Sequence, residues 1–263
     1  MLKLSISNIG WNAGQDEEAY ALMKKYQFTG LEIAPTRIFP EKPYERLEEA
    51  ALWSRNLAEK HGFTVTSLQS IWFGRQERLF GSDEEREVLA EYTRRAIDFS
   101  SAVGSRNLVF GCPRNRVCPE GTDPEAGLRF FAEIGNYAAQ RGTVIGMEAN
   151  PAIYNTNYIN STPEALDLIR AVGCKGFLLN LDVGTMIQNE EDPAGLEGNV
   201  NLINHVHISE PGLKPIEQRE IHQDLKRILT DGSYEGYVSV EMGKVEELSV
   251  IEEAMRYVRS VFQ

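Results

Sequence analysis

Residues 143–150 read TVIGMEAN, 176–182 GFLLNLD, 204–209 NHVHIS and 236–242 GYVSVEM. Each stretch is a short apolar run, and each carries near its end a residue able to hold a metal: Glu148, Asp182, His207 and Glu241. The intervals between these four are 34, 25 and 34 residues, each about one strand–helix unit. One donor at the C-terminal end of each of four successive parallel strands is where a (β/α)8 barrel carries its chemistry. Three carboxylates and an imidazole converging on one point would bind a divalent metal.

The same alternation runs outward to both termini. Strand-like runs are expected at Lys3–Ile9, Gly30–Ala34, Thr64–Gln69, Asn107–Phe110, Thr143–Glu148, Phe177–Asp182, His205–Ile208 and Tyr237–Glu241. Between them apolar residues recur at i, i+3 and i+4 over Glu17–Tyr26, Tyr44–His61, Asp83–Val103, Pro124–Arg141, Pro163–Val172, Ile216–Thr230 and Val245–Val261. The sixth connection, Glu190–Asn201, is short and Gly-bearing, and a helix is expected there. Ser82 before Asp83-Glu84-Glu85, and Ser161-Thr162-Pro163-Glu164, read as helix starts. Gly62, Gly104, Gly142 and Gly173 fall where helices end. No linker interrupts the pattern, so residues 1–263 read as one domain. An open doubly wound sheet and a closed barrel both fit strict β-then-α order. Eight strands, and SNIGWNAG rather than a GxGxxG after the first, favour the single (β/α)8 barrel.

Composition sets further bounds. Hydrophobic residues make up 42% of the chain, enough for a sizeable core, and the net charge is −12. That charge disfavours nucleic acid, and the one dense basic cluster is Arg114 and Arg116. No apolar run approaches the roughly 18 residues of a membrane span. MLKLSISNIGW does not read as a signal peptide, so the cytoplasm is the expected compartment. Cys112, Cys118 and Cys174 suggest neither a disulfide framework nor a structural zinc site. Cys112 reads either as a lining residue or as a small buried filler.

Side chains alternate across a strand, so Asn180 shares a face with Asp182, His205 with His207, Ser239 with Glu241 and Gly146 with Glu148. Burying an unpaired charge costs several kcal/mol, whereas a metal would satisfy three carboxylates together. Capping of the following loop or helix would account for any one of these acids; four at matching strand ends point to a centre. His207 is the expected ligand because it lies nearer the strand end; His205 should sit a layer deeper. Three oxygens and one nitrogen suit Mn²⁺, which we favour, or Mg²⁺ or Co²⁺, with Zn²⁺ as an alternative.

On GMEANP, LDVGT, HVHISEP and YVSVEM the chain resembles the xylose-isomerase-like (β/α)8 superfamily, in particular its sugar-phosphate isomerase/epimerase branch. The resemblance spans the barrel and is sharpest from about Gly142 onward. It implies one divalent metal, a carbohydrate substrate, and Glu148 and Glu241 as metal ligands that also serve as acid and base. Dimers and tetramers are common in that family, so a homo-oligomer is compatible with it. Two positions depart from the pattern, and one stretch matches it loosely. Thr185 stands where the family often has a substrate-touching His, and Glu210 stands where it often has Asp. Arg219 and His222 match a substrate-contacting stretch only loosely.

Other residues near the expected mouth admit two readings each. Arg114 and Arg116 suit a carboxylate or phosphate on the substrate, or else ion pairs of a solvated loop. Gln69 and Trp72 follow the third strand; Trp72 would stack on a sugar or anchor its loop. Glu32 would hydrogen-bond substrate or a neighbouring ligand, or be a buried carboxylate tied to an arginine or backbone amide. Asn150 and Tyr154 are expected at substrate hydroxyls, and Trp11 as a wall. His222 reads either as a substrate contact or as an ordinary helix residue.

The leading expectation is metal-dependent isomerisation or epimerisation of a sugar or sugar phosphate through an enediolate. The alternatives are dehydration of an inosose-type polyol ketone on the same site and a non-catalytic metal-bound sugar-binding barrel. An apurinic-site endonuclease, also of this superfamily, is disfavoured by the negative charge and by a chain with only His61, His205, His207 and His222.

Overall fold

The computed structural model describes residues 1–263. Eight strands form the wall: β1 Lys3–Ser7, β2 Gly30–Ile33, β3 Thr64–Leu68, β4 Leu108–Phe110, β5 Ile145–Met147, β6 Phe177–Asp182, β7 Ile203–Ile208 and β8 Tyr237–Val240. Each pairs in parallel with the next, and β8 pairs with β1, closing the barrel. The helices are α1 Asp16–Lys25, α2 Pro35–Ile38, α3 Leu47–His61, α4 Asp83–Val103, α5 Glu125–Gln140, α6 Thr162–Val172, α7 Val183–Gln188, α8 Glu220–Asp231 and α9 Leu248–Phe262. None is long and apolar enough to cross a membrane.

The helix starts follow from local chemistry. Ser82 caps α4 and Ser161 caps α6, each with a glutamate three residues on that returns the bond. Along α4, Leu89, Thr93, Ala96, Ile97, Ser100 and Val103 recur at helical spacing and are buried against the sheet side.

Outward strand residues such as Leu31, Ile33, Val206, Ile208, Val238 and Val240 are buried in the apolar core. The barrel interior is polar instead. Ser5 bonds Thr66 at 2.8 Å, and Asn107 donates to Ser67 at 2.9 Å and to Asn180 at 3.2 Å. Asn180, His207 and Ser239 are wholly buried. Register places Asp182 beside His207 and His207 beside Ser239, so those residues share one level. Two register slips matter below: one between Leu31 and Glu32 against β3, one between Leu179 and Asn180 against β7. Such bulges re-aim side chains.

The sixth connection differs from expectation. Its helix, α7, starts immediately after β6, with the Asp182 side chain as cap on the Thr185 amide. The segment expected to be helical holds only two short 3₁₀ turns, Pro193–Leu196 and Val200–Leu202. Pro193, Gly195 and Gly198 disfavour a continuous helix there. Capping and site membership are thus not exclusive for Asp182.

Candidate active site

A cavity of about 240 Å³ opens at the C-terminal mouth of the barrel, lined by Gln69, Gly111, Glu148, Asn150, Asp182 and Glu241 among others. A wider hollow of about 760 Å³ lies at the opposite end, against Lys3, Asn107 and Tyr237. The smaller cavity is the candidate site because the four donors and the strand C-termini meet there.

Glu148 and Glu241 lie one residue past β5 and β8, Asp182 closes β6, and His207 is the penultimate residue of β7. One ligand atom from each stands within 4.8 Å of all the others. His207 Nδ1 is 3.1 Å from Glu148 Oε1 and 3.3 Å from Glu241 Oε2. Both oxygens of Glu148 are held, Oε1 by Asn180 at 2.9 Å and Oε2 by Asn150 at 3.2 Å. Asp182 Oδ2 accepts from the Ser209 hydroxyl at 2.7 Å, while its Oδ1 accepts from the Thr185 amide. Behind the ring, Glu32 Oε2 lies 2.9 Å from His207 Nε2 and 3.1 Å from His205 Nε2.

The electrostatics describe carboxylates short of positive charge. Burial, reinforced by the Glu148 charge, raises the Asp182 carboxyl to about 6. Burial raises Glu241 to about 7 against the pull of His207. Burial would lower His207, but the Glu241 and Glu32 carboxylates overcome it and hold that imidazole well above its ordinary value. Glu32 resists burial through its two histidines and stays below the usual carboxylate range. No lysine or arginine pairs with Glu148, Asp182 or Glu241. Hard oxygens, one imidazole and uncompensated negative charge fit a divalent cation held by these four side chains.

The other singled-out residues part company. Asn150 and Tyr154 line the cavity; Tyr154 Oη accepts from the Gly212 amide at 2.9 Å. Gln69 lines it too, and donates to Ser7 at 2.7 Å. Cys112 lines it from a left-handed backbone, its thiol pushed up to about 12 by burial. Trp72 does not: its indole is buried edge-on against Phe110 and Phe130 and donates to Thr93 at 2.8 Å, so it anchors its loop. Trp11 is likewise buried, donating to Asp16 at 2.8 Å.

The two arginines of the β4 loop separate. Arg114 is exposed, whereas Arg116 is wholly buried behind the site. Arg116 donates to Glu148 O and to Asn150 Oδ1, both at 2.9 Å, so its guanidinium holds the loop after β5 and does not line the cavity. Glu210 and Arg219 satisfy each other in a fork of 2.6–3.0 Å, which occupies both. His222 is buried against Tyr257 at 2.9 Å, outside the cavity. Thr185 donates to Ala149 O at 2.8 Å and is turned to that task. Glu32 is tied to histidines, one of them the expected ligand His207, which matches the neighbouring-ligand reading and not the arginine or backbone amide.

Gly111, Leu213 and Ser209 were not singled out by sequence. Gly111 carries no signal in the sequence itself; its reason is in the fold, where a Cβ would stand 2.7 Å from Glu148 Oε2 and displace that carboxylate. Ser209 and Leu213 carry none either, since a small hydroxyl and an aliphatic residue in a loop have many uses.

Fold and donors together define a (β/α)8 barrel with a carboxylate–histidine centre of the kind that holds a divalent metal. The family model for the xylose isomerase-like TIM barrel matches residues 20–261, and the chain belongs to that family. A comparison with curated protein sequences finds no match. Among solved structures the chain is similar to 3-keto-D-glucoside 4-epimerase from E. coli, at 20% identity and TM-score 0.76, covering 99% of this chain and 100% of that one. It is similar to D-psicose 3-epimerase from Clostridium cellulolyticum H10, at 16% identity and TM-score 0.78, with both chains fully covered. An AP endonuclease, family 2, from Brucella melitensis is also similar, at 19% identity and TM-score 0.70, covering 99% and 96%.

Proposed function

We propose that the protein is a divalent-metal-dependent isomerase or epimerase acting on a monosaccharide-sized hydroxycarbonyl sugar, with Mn²⁺ as the favoured ion. The observation that carries this reading is the pair Glu148 and Glu241, which approach His207 Nδ1 from β5 and β8 at one end of a small cavity open at the barrel mouth. At about 240 Å³ that cavity suits one small ligand; drug-sized pockets run roughly 300–1,000 Å³. Similarity in fold to two structures named as sugar epimerases supports the same reading. Nucleolytic chemistry built on many histidines is disfavoured, because of the four histidines only His207 belongs to the four-donor group.

A bound divalent ion supplies Lewis acidity to the substrate's carbonyl oxygen. One glutamate removes the proton alpha to the carbonyl and the other returns one to the enediolate. Return to the opposite face inverts the carbon, whereas return to the neighbouring carbon, with the hydroxyl proton passing between the two oxygens, moves the carbonyl. Asn180 and Asn150 fix the aim of Glu148. The Glu241 carboxyl has no polar side-chain contact but His207 Nδ1 at 3.3 Å, so it is less constrained.

The test is hydrogen exchange. Protein with Mn²⁺ in D₂O, given a panel of ketoses, aldoses, polyol ketones and their phosphates, is expected to place deuterium at one carbon. Glu148→Gln and Glu241→Gln each remove it, at a loss of roughly 10²–10⁴-fold. Full turnover in both variants would refute the mechanism, and a product lighter by one water would redirect it to dehydration.

A further inference from the structure

Beneath the four donors lies a carboxylate that the proton transfers do not use. Glu32 is 0% exposed, no lysine or arginine reaches it, and its Oε1 has no partner. A buried carboxylate without compensation is costly, so its placement needs a reason. Its Oε2 lies between two ring nitrogens, 2.9 Å from His207 Nε2 and 3.1 Å from His205 Nε2.

Two arrangements compete for His207. Glu32, His205 and His207 are close enough to hold an ion themselves, and so are Glu148, Asp182, His207 and Glu241. A neutral imidazole has one lone pair, on whichever nitrogen lacks the proton. His207 Nδ1 faces Glu148 and Glu241, while Nε2 faces Glu32. A proton on Nε2 therefore frees Nδ1 for the four-donor centre, and a proton on Nδ1 blocks it.

Distances favour the first. The 2.9 Å separation of His207 Nε2 from Glu32 Oε2 is that of an N–H···O bond. The backbone supports it too. The β2–β3 register slips at Glu32, and the β6–β7 register slips at Asn180, whose amide lies 3.3 Å from His207 Nδ1. His205 meets the His207 ring edge-on at 5.3 Å and shares the same carboxylate oxygen from the deeper layer.

We propose that Glu32 is a positioning residue: by accepting the Nε2 proton of His207 it sets the tautomer and ring plane that present Nδ1 to a divalent ion held with Glu148, Asp182 and Glu241. The proposal rests on the metal-centre reading but not on any sugar. Loss of such a carboxylate behind a ligating histidine typically weakens metal binding 10–100-fold.

The experiment uses the full chain, stripped of metal, and Mn²⁺ alone as probe. Calorimetric titration is expected to give one Mn²⁺ per chain, with Glu32→Gln about 10–100-fold weaker. Nitrogen-15 histidine spectra of the Zn²⁺-loaded wild type are expected to show His207 with metal on Nδ1 and a proton on Nε2; this arm needs no variant and stands even if Glu32→Gln fails to fold. Unchanged affinity in Glu32→Gln, two Mn²⁺ per chain, or zinc on Nε2 would each overturn the proposal. A wild type that binds no Mn²⁺ would remove the centre itself, a failure distinct from a difference confined to the variant.

Discussion

Replacing Gly111 by alanine isolates how much the site depends on the placement of one carboxylate oxygen. The backbone tolerates the change, since Gly111 is not in the left-handed region. The added methyl would stand 2.7 Å from Glu148 Oε2 and 3.5 Å from Asn150 Oδ1. An ordinary carbon–oxygen contact is about 3.3–3.6 Å, so the carboxylate must retreat by roughly 0.6–0.9 Å. It is pinned by Asn180 at 2.9 Å and Asn150 at 3.2 Å, so retreat breaks at least one of these bonds. A bond to a charged group is worth about 1.5–3 kcal/mol. A misplacement near 1 Å costs about 10²-fold in rate. Gly111→Ala is therefore expected to melt within a few degrees of wild type, to bind Mn²⁺ about tenfold more weakly, and to exchange deuterium about 10²-fold more slowly. Wild-type exchange would refute the claim that Glu148 Oε2 must stay in place; loss of folded protein would refute the claim that the cost is local.

Three further outcomes follow from the contacts around the site. Trp72→Ala should destabilise the fold by about 3–5 kcal/mol in denaturant titration, whereas Trp72→Phe should leave KM unchanged; a large rise in KM would return Trp72 to the substrate. Arg116→Met strands Glu148 O and Asn150 Oδ1 and should cost about 3 kcal/mol or more, with phosphorylated and unphosphorylated substrates affected alike; a loss confined to phosphorylated ones would assign the guanidinium to substrate. His222 is neutral in the fold, burial lowering it to about 4, with Tyr257, Glu210 and Arg219 around it. The unfolded chain protonates that ring near 6.5 and the folded one only near 4, so its contribution is intact above 6.5 and lost as pH falls to about 4. The loss amounts to about 3 kcal/mol. His222→Gln should flatten stability across that window, and an unchanged slope would show that other groups set it.

Much of this site stands in the sequence because barrel geometry repeats. Inward and outward residues alternate, each unit ends at the same face, and a charged residue at a strand end stands out against apolar neighbours. That logic picks out Glu148, Asp182, His207 and Glu241, whose ligand atoms meet within 4.8 Å. It also orders His207 above His205. The eight strands, the capped starts of α4 and α6 and most helix spans follow from periodicity and caps that act within a few residues.

What lay beyond the sequence depends on contacts between distant segments. Arg114 and Arg116 look equivalent in FGCPRNR, yet a short 3₁₀ turn after Cys112 exposes one and buries the other beneath β5. Glu210 and Arg219 each looked free for substrate until the fold paired them. Trp72 owes its place to Phe110 and Phe130, which α5 and β4 bring to it. Composition and periodicity thus set the class of fold and the donors at its mouth, since both follow from local backbone rules. Closure of the barrel decided the rest: which charges neutralise one another, which face the cavity, and that Glu32, 175 residues away in sequence, lies behind His207. A partner that far along the chain is chosen by register and closure, and no local pattern encodes it.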